Sequence, residues 1–282
     1  MPLSFFQAAA VPRFARERLE ISVVVTIIRD VTVGLVVVLA LSACVRAQQP
    51  NPAAARATEE LETWRKGRVR VYMDDFGQLS RFRASNAKLK PPGAGEKRVV
   101  FFGDSITENW LFAARFPGKP YVNRGIGGQT TSQLVVRFRA DVIALGPKVV
   151  VILAGTNDIA GNTGPISLEE IEGNFATMVE LARAHGIRVV LSSVIPVHNY
   201  TPASDLTFPR RPPDKIAALN KWLKDYAATS GCVYLDYAAA MSDDKGMLRR
   251  ELAEDGLHPN PAGYAIMAPL AEQAIGKALQ GG

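Results

Sequence analysis

Residues 98–107 read RVVFFGDSIT. The first five, apolar after the opening arginine, form a strand-length run, and Gly103-Asp104 breaks it immediately before a serine. Apolar residues at consecutive rather than alternate positions suit a strand covered on both faces, because neighbouring side chains point to opposite sides of a sheet. Runs of the same kind recur at KVVVIL (148–153), IRVVLSSV (187–194) and CVYLDY (232–237), and Tyr121-Val122-Asn123 is a shorter fifth candidate. Amphipathic stretches of helical length lie between them, near 130–144, 168–184, 213–229 and 261–279. Ser167 with Glu170 makes a capping-box pattern ahead of one, and Gly186 and Gly231 stand just past helix ends. This alternation predicts an α/β domain with a parallel sheet between two helical layers. In such sheets the loops leaving the carboxyl ends of the strands build the active site.

Those loops carry the chemistry. Ser105 follows a buried strand at the start of a helix, where a sharp turn exposes the hydroxyl near the positive helix end. The plainer reading is a helix N-cap, common work for serine at such a position. The second loop, Asn123-Arg124-Gly125-Ile126-Gly127-Gly128-Gln129-Thr130, is a glycine-rich turn that brings backbone N–H groups near a ligand oxygen. A dinucleotide fingerprint, GxGxxG, is excluded, since Thr130 replaces the third glycine and the strand ahead is short. In Ala154-Gly155-Thr156-Asn157-Asp158, Asn157 either caps the next segment or aims its amide at an oxyanion. Of the three histidines, His258 alone has a carboxylate three residues before it, in Asp255-Gly256-Leu257-His258-Pro259-Asn260. That spacing lets Asp255 fix the imidazole tautomer. His185 reads as a helix C-terminal cap, and His198, after the fourth strand, as at most a residue of a substrate loop. Together these loops hold a hydroxyl nucleophile, a base, an orienting carboxylate and oxyanion donors, the parts that acyl transfer needs.

The blocks GDS (103–105), GGQT (127–130), GTND (155–158) and DGLHP (255–259), in this order, resemble the four motif blocks of the SGNH hydrolase superfamily. Within it the chain is most similar to GDSL-like lipases and acylhydrolases of the platelet-activating-factor acetylhydrolase type. The resemblance spans roughly residues 97–280. It implies a three-layer α/β/α fold with a five-stranded parallel sheet in flavodoxin-like order. It also implies Ser105 as nucleophile, His258 as base with Asp255 behind it, and the Ser105 N–H, Gly128 N–H and Asn157 amide as oxyanion hole. Gln129 departs from the pattern, standing where an Asp is common, at a position with no catalytic role in the family. The GxSxG elbow of the α/β-hydrolases is absent around Ser105.

Upstream, Gln48 to about Thr58 reads as a polar, Pro/Ala-rich linker. Leu61, Trp64, Tyr72, Phe76, Leu79 and Phe82 then form a helical stripe, an arm packed on the main domain, ended by Lys90-Pro91-Pro92-Gly93. Before the linker, arginines at 13, 16, 18 and 29 precede an apolar run from Val31 to Ala43. The run is short of the ~20 residues a bilayer span needs, so it reads as an export signal. Leu41-Ser42-Ala43-Cys44 resembles a lipobox that would lipidate Cys44; cleavage after Ala47 and an uncleaved anchor are the other readings. The n-region of about 30 residues is long for such a signal, which leaves a downstream start codon open. The organisation expected is therefore an export segment at 1–47, a linker and helical arm at 48–96, and the hydrolase domain at 97–282.

Composition narrows the functions further. The formal net charge is +6, with basic residues scattered and RKGRVR (65–70) the densest run, lacking the aromatic interleaving of a nucleic-acid module. Two cysteines, Cys44 and Cys232, support neither a disulfide framework nor a zinc site. The expectation is an exported carboxylic ester hydrolase of the periplasm or cell envelope, needing no metal or organic cofactor and binding no nucleic acid. Short-chain or O-acetyl esters of small molecules, glycans or lipids are the favoured substrates. Lysophospholipid or thioester hydrolysis is the alternative, ahead of a non-catalytic envelope-bound binding protein. The loop from Val197 to Pro213 reads either as a substrate wall, offering Tyr200, Phe208, Arg210 and Arg211, or as a surface crossover.

Overall fold

The computed structural model of the chain describes residues 52–280. The expected export segment, with Cys44, lies outside the described residues.

Strands β1 (Val99–Gly103), β2 (Tyr121–Gly125), β3 (Val149–Leu153), β4 (Arg188–Ser192) and β5 (Val233–Leu235) form one sheet in the order β2-β1-β3-β4-β5. Every pairing is parallel. This is the flavodoxin-like order, with the reversal of strand order at β1 and β3. The connecting helices are α1 (Pro52–Asp75), α2 (Ser80–Lys88), α3 (Ser105–Glu108), α4 (Phe112–Arg115), α5 (Thr131–Asp141), α6 (Thr156–Ile159), α7 (Leu168–Ala184), α8 (Pro213–Thr229), α9 (Tyr237–Met241) and α10 (Pro261–Gln280). Gly103 pairs with both Gly125 and Leu153, so β1, β2 and β3 end flush and their loops emerge at one level.

The apolar runs divide between two cores according to the strand period. Val100, Phe102, Val150 and Ile152 pack with Leu134 and Phe138 of α5, Phe175 and Met178 of α7, and Leu219 and Leu223 of α8. Val99, Phe101, Val149 and Val151 face the other way, against Met267, Ala271 and Ile275 of α10, with Trp110 and Phe116 sealing the edge. All five residues of β1 and of β3 are buried, which explains why neither run alternates. The Ser167/Glu170 box opens α7 as expected, and a second box, Thr130 with Gln133, opens α5.

The segment before β1 departs from expectation. Pro52 to Thr58, read as linker, is the first part of α1. The alanines after Pro52 favour helix, and Ala57 and Leu61 are buried. The expected single stripe breaks into two helices at Asp75, whose carboxylate accepts from Leu79 N–H and Ser80 N–H at 2.9 and 2.8 Å. From Pro52 onward the chain packs as one compact unit.

Candidate active site

β1 delivers Gly103, and Asp104 then caps α3, its Oδ1 accepting Ile106 N–H at 3.0 Å. Asp104 is fully buried, and that burial pushes its carboxyl up to about 6. Because Asp104 does the capping, Ser105 is free to face the cleft. Its Oγ lies 2.9 Å from His258 Nε2. His258 Nδ1 lies 2.6 Å from Asp255 Oδ2, and Asp255 Oδ1 accepts the Leu257 and His258 backbone N–H groups at 3.0 and 2.8 Å. Burial works to raise the Asp255 carboxyl, but the hydrogen bonds from the His258 ring and from the backbone outweigh it and hold it well below the usual carboxylate range. An ionised carboxylate can only accept, so Nδ1 carries the proton and Nε2 presents its lone pair to the Ser105 hydroxyl. The turn between Asp255 and His258 needs glycine. Gly256 has φ +76°, and a Cβ there would run into the His198 carbonyl.

Donors gather on the other side of Ser105. Among the described residues, neither the Ser105 N–H nor the Gly128 N–H has an acceptor within the protein. Gly128 has φ +77°, and its carbonyl is held by Asn162 Nδ2 at 3.0 Å. Asn157 is buried and does not cap α6. Its Nδ2 donates to Gln129 O at 3.1 Å and faces Asp104 Oδ2 at 3.4 Å, while Oδ1 accepts from Arg211 Nη2 at 3.3 Å.

A buried frame sets these loops. Arg137 of α5 donates to Gly103 O and Arg124 O, both at 2.9 Å, to Gln129 Oε1 at 2.5 Å and to Asp141 Oδ2 at 3.1 Å. It therefore ties the ends of β1 and β2 to the glycine turn. Burial lowers its guanidinium to about 10, still charged at neutral pH. Gln129, the departure from the family pattern, also donates to Gly77 O at 3.0 Å and so joins the arm to the site. On the opposite face, Tyr264 of α10 donates to Ile106 O at 2.7 Å.

The cleft over Ser105 has a volume of about 320 Å³ and is lined by Trp64 and Glu60 of α1 together with Gly128, Asn157, Asn162 and His258. Leu206, Thr207, Arg210 and Arg211 close another side. The Val197–Pro213 loop is thus a wall, but not through all the side chains expected of it. Tyr200 donates instead to Asp243 Oδ2 at 2.6 Å, and Phe208 packs on the core. His198 is fully buried: its Nε2 bonds Ala253 O at 2.8 Å and its Nδ1 accepts Tyr200 N–H at 3.2 Å, so it buttresses the Asp255 loop from behind. His185 is the C-cap residue of α7. A larger cleft of about 390 Å³ beside α8 and α9 includes neither Ser105 nor His258. Among the described residues, no group of His, Cys, Asp and Glu side chains is arranged to hold a metal ion.

Residues 101–266 match the family model of the GDSL-like lipase/acylhydrolase family. The chain belongs to that family. Solved structures similar to this GDSL-like chain include a GDSL-like lipase from Bacteroides thetaiotaomicron, 40% identical, covering 72% of this chain and 100% of that one with a TM-score of 0.67. An acetylxylan esterase from Geobacillus stearothermophilus is 27% identical over 217 residues, 65% of this chain and 95% of that protein. Its structure superposes with a TM-score of 0.53. The uncharacterized lipoprotein YqeF of Bacillus subtilis is 36% identical over 124 residues, 37% of this chain and about half (51%) of that protein's length. The structure therefore brings together all the residues the sequence singled out for acyl transfer, within a fold whose family members are acylhydrolases. Trp64, Asn162 and the burial of Arg211 were not legible beforehand. Trp64 appeared only as part of an apolar stripe, and Asn162 carried no signal.

Proposed function

We propose that this chain is a serine esterase that removes short acyl groups, O-acetyl groups above all, from alcohol or sugar hydroxyls. The observation that carries the reading is the continuous relay from Ser105 Oγ through His258 to Asp255, 2.9 and 2.6 Å long, beside two backbone N–H groups without acceptors among the described residues. Ser105 Oγ attacks the ester carbonyl carbon as His258 Nε2 takes its proton. The oxyanion rests against Ser105 N–H, Gly128 N–H and the Asn157 N–H that leaves its long 3.4 Å contact with Asp104 Oδ2 to take it. His258 returns the proton to the leaving alcohol, which departs and leaves an acyl-Ser105 ester. A water molecule attacks that ester by the same route, its proton passing to His258 and then to Ser105 Oγ as the acid leaves. Asp255 stays ionised throughout and steadies the imidazolium.

Preference for a small acyl group is supported by the Trp64 ring against Gly128 and by the similarity to a protein named acetylxylan esterase. Action outside the cytoplasm, with attachment through a lipidated Cys44, is supported by the apolar run at 31–43 and the similarity to a lipoprotein. Among the described residues no helix is long and apolar enough to cross a membrane. A chain-length series of p-nitrophenyl esters, run beside acetylated xylo-oligosaccharides, tests the activity. Wild type is expected to favour acetyl and Ser105→Ala to be inert; full turnover by Ser105→Ala overturns the assignment.

A further inference from the structure

Arg211 is a buried cation with no carboxylate partner among the described residues. Only 3% of it is exposed, and among the described residues no Asp or Glu oxygen lies within 4.0 Å of its guanidinium. Removing a charge from water without pairing it is costly, so such a group calls for a reason. Its hydrogen bonds supply one. Nε donates to Thr156 Oγ1 and Nη1 to Thr207 O, both at 3.0 Å, which pins the guanidinium plane between the β3 loop and the cleft wall. The remaining arm, Nη2, donates to Asn157 Oδ1 at 3.3 Å.

An amide has a donor end and an acceptor end of nearly equal size, so packing alone chooses poorly between its two orientations. A guanidinium has only donors. Turning the Asn157 amide over would set its NH₂ against Arg211 and its oxygen against the Gln129 carbonyl. Resting on the esterase reading above, we infer that Arg211 is a positioning residue: it locks the Asn157 amide with its NH₂ on the side of Gln129 O and Asp104 Oδ2, from where the N–H on the long 3.4 Å contact to Asp104 turns to the substrate oxygen, and it polarises that N–H as negative charge develops there. The charge comes with the lock, because any neutral group with both a donor and an acceptor would tolerate the reversed amide.

The test is a double-mutant cycle on the full chain with an acetyl ester, using wild type, Arg211→Met, Asn157→Ala and the double variant. Arg211→Met is expected to lower kcat about 10–50-fold with KM within about twofold, since the contact matters only once the oxyanion forms. In the Asn157→Ala background the same substitution is expected to cost less than about threefold, because its target is gone. Thermal unfolding of each variant separates misfolding from mispositioning, and Arg211→Gln runs the same cycle should Arg211→Met fail to fold. Losses that multiply across either cycle, or a rise in KM at unchanged kcat, overturn the role of Arg211 while leaving the esterase reading intact. A wild-type chain inert toward every ester overturns both.

Discussion

The indole of Trp64 lies against the backbone of Gly128, so near that a Cβ on Gly128 would stand 2.7 Å from Trp64 Cζ2. A helix that precedes the α/β domain in the chain thus forms one wall of the cleft, directly over a candidate oxyanion donor. The ring is held by Tyr72, edge-on at 6.3 Å, and by the Arg68 guanidinium 5.4 Å from its centroid.

Trp64→Ala is expected to shift acyl preference. Opening that wall makes room for extra methylenes, each worth about 1–3 kcal/mol of discrimination in a fitted pocket. The ratio of kcat/KM for butyryl over acetyl esters should rise at least about tenfold, read from the same chain-length series in both proteins.

Gly128→Ala is expected to damage both site and fold. A left-handed φ costs an alanine about 1–2 kcal/mol, and the new methyl must displace the indole. Esterase activity should collapse and the unfolding midpoint should drop. Pairing it with Trp64→Ala relieves only the clash, so the double variant should recover part of the stability and little of the activity.

Asp255→Asn is expected to keep the loop but present the wrong partner to the ring. An amide NH₂ facing Nδ1 favours the tautomer with the proton on Nε2, which cannot accept from Ser105. A fall in kcat of roughly 10³–10⁴-fold is expected, by analogy with triads in general, with far-ultraviolet circular dichroism unchanged.

Asp158 offers a stability test away from turnover. Its carboxylate accepts Thr131 N–H at 2.9 Å and Thr131 Oγ–H at 2.5 Å, and burial pushes it up to about 6. A carboxyl whose folded-state value exceeds its unfolded one holds its proton more tightly when folded, so its contribution is full at acid pH and is lost as pH rises toward 6. Asp158→Asn does not titrate. The unfolding midpoint of wild type minus that of Asp158→Asn should therefore fall between about pH 4 and 6 and level off above.

The sheet and the candidate site residues were readable because each rests on local pattern. A strand covered on both faces must be apolar throughout, and Ser105, Asn157 and the Asp255–His258 pair sit at breaks in pattern, where polar groups next to a core stand out. The rest depends on contacts between residues far apart in the chain. Nothing near Trp64 indicates that it will meet Gly128, and nothing near Arg211 indicates that its charge will be buried beside Asn157. His198 shows the limit from the other side. It occupies a loop where a substrate contact was plausible, but the carbonyl of Ala253 holds its ring inside the protein. Pro52 to Thr58 looked like linker by composition, yet Ala57 is fully buried.

The bond from the Tyr264 hydroxyl to the Ile106 carbonyl fastens α10 to the turn that bears Ser105, the proposed nucleophile. A nascent chain that still lacks this portion holds Ser105 without His258, its proposed base, and without the helix that bonds its turn. On the esterase reading, hydrolytic power is therefore expected to wait until the 255–258 loop and α10 are both in place.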